Sequence, residues 1–84
     1  MNSLRLAEIQ TMESVAELRA RLLECLAQGG AVTIDAGETR VIDTASLQVL
    51  AAFCREVEAV EFLAPAQGFL DAVRLLGLRQ ALGV

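Results

Sequence analysis

The segment Val41-Ile42-Asp43-Thr44-Ala45-Ser46-Leu47 joins a short apolar run to an amphipathic pattern through small, oxygen-bearing side chains. Asp43 stands where a helix N-cap belongs, with a carboxylate placed to accept from the free amides of Ala45 or Ser46. Thr44 follows as the first helical residue, so its hydroxyl lies among unsatisfied N–H groups at the positive end of the helix dipole. Two roles stay open for it. One is a solvent-facing first-turn position, which any surface threonine satisfies; the other is a phosphoacceptor or partner-contact hydroxyl. A phosphate on Thr44 gains from the dipole and is repelled by the Asp43 carboxylate, so it is expected to alter the local surface more than the fold.

The remaining inventory excludes most other chemistry. The chain has no histidine, tyrosine or lysine, which removes most general bases, Schiff-base chemistry and the Ser-His triad. The carboxylates are spaced like solvated helix faces rather than as a catalytic pair, so no catalytic residue and no enzyme is expected. Gly29-Gly30 is no phosphate cradle, because it follows a helical pattern and a cradle must precede one. Cys25 and Cys54 form no CxxC pair and lie inside apolar helical patterns, as small buried hydrophobes of a reducing compartment do. Two cysteines without histidine make no metal site, and no cofactor is implied.

Net charge is −4, and the seven basic residues, all arginine, are scattered from Arg5 to Arg79. There is no phosphate-backbone footprint, and three Phe without Trp or Tyr offer no stacking platform, so nucleic acid is not a partner. Residues 1–10 lack the continuous apolar core of a signal peptide, and no apolar run approaches the 18 or so residues of a membrane span. A cytoplasmic protein with no direct membrane insertion is expected. Eighty-four residues make one domain, 1–84, and 55% of them are hydrophobic, including 14 leucines. So small a domain has too high a surface-to-volume ratio to bury that many large side chains easily, and some apolar surface is expected to meet a partner or a second copy.

The elements that must position the junction follow from periodicity. Leu4 to Ile9 alternates as a short edge strand with Leu4 and Leu6 on one face. Ser14 and Glu17 have capping-box spacing, and Val15, Leu18, Leu22, Cys25 and Leu26 continue as a helix, with Glu17 and Arg21 as an i,i+4 pair and Gly29-Gly30 as its stop. Ala31 to Asp35 reads as a central strand, and Ala36 to Arg40 as a polar loop. From Thr44, the stripe Leu47, Leu50, Ala51, Cys54 and Val57 defines a second helix. Ala59 to Ala64 is a third strand ended by Pro65, Ala66 to Leu76 a third helix stopped by Gly77, and Leu78 to Val84 a final turn expected on the sheet edge. The order β-α-β-α-β-α with short connections predicts an α/β domain, a mixed, mostly parallel sheet of three or four strands with about three helices packed against it.

At the junction the chain resembles the STAS domain, the family of anti-sigma-factor antagonists. The family commonly shows an apolar residue followed by Asp, Ser or Thr, a small residue, Gly and Leu, matched here by Asp43, Thr44, Ala45, Ser46 and Leu47. The helix Ser14 to Gln28, the strands Ala31 to Asp35 and Val60 to Leu63, and the closing Leu75-Leu76-Gly77-Leu78 extend the likeness over most of the chain. The resemblance implies a partner-binding surface at residues 43–47 and a reversible phosphorylation site at Thr44. It implies as partner a kinase-like anti-sigma factor that binds the dephosphorylated form. Ser46 departs from the family's glycine, adding a Cβ and a hydroxyl where a partner's backbone could approach. The N-terminal region has room for one strand before the first helix where larger members have two. Short STAS proteins are also similar to accessory subunits of bacterial lipid-transport ABC complexes, which clamp the transporter ATPase without a phosphorylation cycle, and others occur beside chemotaxis components. A small anionic ligand at the helix N-terminus is a further alternative.

Overall fold

In the computed structural model, which describes residues 2–84, three parallel strands lie side by side. They are β1 (Asn2–Arg5), β3 (Ala31–Asp35) and β5 (Ala59–Leu63), in the order β1-β3-β5. Two further strands, β2 (Ile9–Gln10) and β4 (Val41–Ile42), pair in parallel as a separate small sheet. The helices are α1 (Val15–Gln28), α2 (Thr44–Glu56), α3 (Gln67–Leu75) and the single turn α4 (Arg79–Leu82). The expected small α/β fold is therefore present, with β3 central, while its strands divide between two sheets rather than one.

Register explains which residues form the core. Leu4, Ile34 and Phe62 are neighbours across the three strands, as are Ser3, Thr33 and Glu61 one step earlier. Since side chains alternate, the first row faces the helices and the second faces away. Arg5, Asp35 and Leu63 continue the outer row, where Arg5 Nε meets Asp35 Oδ2 at 3.4 Å in an exposed pair of little energetic weight. Parallel sheets are usually covered on both faces and read as continuous apolar runs. This one is covered on one face, so its strands alternate. Beneath the inner row, Leu18, Leu22, Leu47, Leu50, Phe69 and Val73 complete one buried cluster. Phe62 and Phe69 pack with ring centroids 5.4 Å apart.

Four local expectations are corrected. The strand foreseen over Leu4 to Ile9 is two strands: Leu6 N–H closes the main ladder on Asp35 O at 2.9 Å, and the chain then crosses to the small sheet, so the N-terminal region holds two strands. The Ser14–Glu17 capping box does not form. Ser14 Oγ instead accepts from Thr11 N–H at 3.3 Å and from Gln10 Nε2 at 2.9 Å, bonds that come with the 3-10 turn Met12–Ser14 preceding α1. The Glu17–Arg21 pair forms no ion pair among the described residues, since an exposed helix pair is worth only a few tenths of a kcal/mol, too little to hold two long side chains in one geometry. The C-terminal turn, α4, packs on α2 through buried Leu82 rather than on the sheet edge.

Candidate functional site

The small sheet and the start of α2 meet at Asp43, and its carboxylate ties three segments together. Oδ1 accepts from Ser46 N–H at 2.9 Å, which is the expected N-cap, and Oδ2 accepts from Met12 N–H at 2.6 Å across 31 positions of sequence. Asp43 N–H donates to Gln10 O at 3.1 Å, and Asp43 O accepts from Leu47 N–H at 3.0 Å. The Ser46 amide first, with the Ser46 hydroxyl and then the Met12 amide in support, holds the Asp43 carboxyl below its ordinary value against a smaller opposing effect of desolvation.

Gln10 secures the same corner from beneath. It is buried, with Oε1 accepting from Ala7 N–H at 3.2 Å and Nε2 donating to Ser14 Oγ. Buried Thr39 donates its hydroxyl to Ala7 O at 2.9 Å, while Glu8 O accepts from Arg40 N–H at 2.9 Å and Val41 N–H at 3.2 Å. On the far side Gly68, in the first turn of α3, lies so close to Arg40 that a Cβ there would overlap the Arg40 carbonyl. Gln10, Thr39 and Gly68 are therefore positioning residues that the sequence did not single out. Only Gly68 carried a signal, as a lone glycine inside a helical pattern.

The five residues of the signature divide by accessibility. Thr44 is exposed, and Asp43 and Ala45 are partly so. Ser46 and Leu47, expected among the contact residues, are fully buried: the third and fourth residues of α2 turn inward beneath the cap. The added Cβ of Ser46 accordingly meets the protein interior. Three exposed apolar side chains outside the expected contact set lie on the strands and turn that the Asp43 junction ties together. Ile9 and Val41 are register partners in the small sheet, 53% and 48% exposed, and Met12, whose amide caps on Asp43, is 69% exposed. The clue in sequence was weak, since Ile9 belongs to the expected N-terminal strand, and its pairing with Val41 depends on the fold.

Ser46 Oγ is buried with no hydrogen bond of good geometry, and the polar group it faces is the Asp43 carboxylate, which it helps to keep ionised.

At this helix start the chain's own carboxylate already takes the Ser46 and Met12 amides. Among the described residues no cluster of three or more His, Cys, Asp or Glu could hold a metal ion. Both cysteines are free thiols, and burial pushes that of Cys54 up to about 11, far from the thiolate that redox or nucleophilic chemistry needs. No helix among the described residues is long and apolar enough to cross a membrane.

A family model described as "Mlab, STAS domain" matches residues 2–83. No curated protein and no solved structure gave a significant match.

Proposed function

We propose, from the premise that this chain belongs to the STAS domain family, that it is a non-enzymatic regulatory module that docks a protein partner through the surface around Thr44. The observation that carries this is an exposed threonine on a capped helix start whose cap ties in the strands and turn that carry exposed Ile9, Met12 and Val41. Apolar side chains around a small polar centre suit a protein contact, where the apolar part supplies affinity and the hydroxyl supplies orientation. The capped helix lowers the ordering cost of binding. In this reading the partner is a kinase-like protein that modifies Thr44, and the added charge releases it.

A second reading, a permanent contact with a transporter ATPase, is favoured by one feature. Arg40, the arginine nearest Thr44 in sequence, is engaged by Glu8 at 3.0 Å, and Asp43 precedes Thr44 in the chain, so a phosphate on Thr44 would meet a like charge beside it. Thr44→Glu and Val41→Asp are each expected to lower recovery of the partner at least about tenfold when the tagged chain is isolated from its native cell. Equal recovery with both variants would falsify docking at this surface. Thr44→Ala separates the two readings: it leaves binding intact but blocks gain of a phosphate in intact-mass analysis if Thr44 is switched, and weakens the complex if the contact is permanent.

A further inference from the structure

Helices α1 and α2 leave an open groove between their outer faces, of about 410 Å³. Both helices return the chain from one strand to the next parallel strand, so they run in the same direction. The groove walls are mostly apolar, with Leu22, Leu23 and Leu26 from α1 and Val49, Ala52 and Phe53 from α2, and Gln48 adds a polar side chain on the α2 side. Leu23 is 56% exposed on its rim. Neither the Asp43 cap nor Thr44 belongs to it.

Charge says what covers it. Arg19 lies in the second turn of α1, and Glu56 is the last residue of α2, so they stand at diagonally opposite corners of the groove. Both are exposed, and neither makes an ion pair among the described residues. In a two-fold contact, residue i of one copy meets residue j of the other and j meets i. A two-fold axis lying in the contact plane, perpendicular to the line from Arg19 to Glu56 at its midpoint, sets Arg19 of each copy against Glu56 of the other. The face is thus complementary to itself, with two ion pairs flanking an apolar centre. We infer that the α1–α2 groove is the contact surface of a homodimer, closed by a second copy of this chain. The 14 leucines of so short a chain accord with apolar area covered in that way.

Sedimentation velocity or native mass spectrometry on the purified chain tests this, at roughly 100 μM protein, where a micromolar association is well populated. The wild type is expected to be dimeric. Leu23→Glu, a change at an exposed position, is expected to be folded by circular dichroism and monomeric. Arg19→Glu alone and Glu56→Arg alone are each expected to raise the dissociation constant at least about tenfold, because like charges then meet at both corners. An equimolar mixture of those two variants restores the dimer, since each corner again joins opposite charges, and so does the double substitution within one chain. A monomeric wild type overturns the inference. So do single variants that dimerise as tightly as the wild type, and so does a mixture that stays monomeric.

Discussion

Asp43→Ala is expected to lower Tm by roughly 10 °C, because it removes two hydrogen bonds at once. One caps α2 through Ser46 and the other holds the Met12 turn against it, so both amides lose a charged acceptor. Asp43→Asn is the sharper comparison. Asparagine caps helices well, yet it has one acceptor oxygen in place of two, and its NH2 group would face an N–H donor. Asp43→Asn should therefore fall between the wild type and Asp43→Ala at pH 7. The folded carboxyl titrates below its ordinary value of 3.8, so its stabilisation is full above that pH and is lost as pH falls through the folded value. The gap between the wild type and Asp43→Asn should hold steady from neutral to mildly acidic pH and close below 3.8. Urea unfolding of both proteins across this range gives the gap directly, because the other carboxylates titrate alike in each. A gap that widened on acidification would contradict the assignment.

Gly68→Ala is expected to destabilise the chain by about 2–3 kcal/mol, against the usual gain from placing alanine in a helix. The added methyl meets the backbone carbonyl of Arg40, which is held by Glu8 and the β2–β4 pairing and has no rotamer with which to yield. The strain falls on the segment that leads into Asp43, so binding at the Thr44 surface should weaken along with stability. Chemical denaturation gives the first effect. Amide exchange of Val41 and Asp43 locates it, and protection unchanged at both would show that α3 shifts instead.

These two residues also mark how far the sequence could be followed. Asp43 was legible because an N-cap is local: small polar residue, helix start and apolar stripe lie within one short window. Its second bond, to Met12, was not legible, since nothing in that window refers to a turn 31 positions away. Gly68 could be noticed only as an irregularity, whose meaning depends on which backbone lies against it. The same limit split the N-terminal strand. Alternation from Leu4 to Leu6 correctly gave the buried face, but the point where the chain leaves one sheet for another depends on the partners offered by β3 and β4.

The signature at residues 43–47 repeats the lesson at the site. Residue types identified the helix start and the family, and the scarcity of catalytic side chains pointed toward binding. They did not reveal that Ser46 and Leu47 face inward, nor that Ile9, Met12 and Val41 stand exposed at the Asp43 junction.

By itself, then, the sequence determined three helices, the strands β3 and β5, the central place of β3 and the cap at Asp43, because periodicity and capping act over one or two turns of chain. Only the tertiary structure decided the division into two sheets, the gathering of Ile9, Met12 and Val41 at the Asp43 junction and the groove between α1 and α2, because each joins residues that are distant in sequence and brought together by pairing and packing alone.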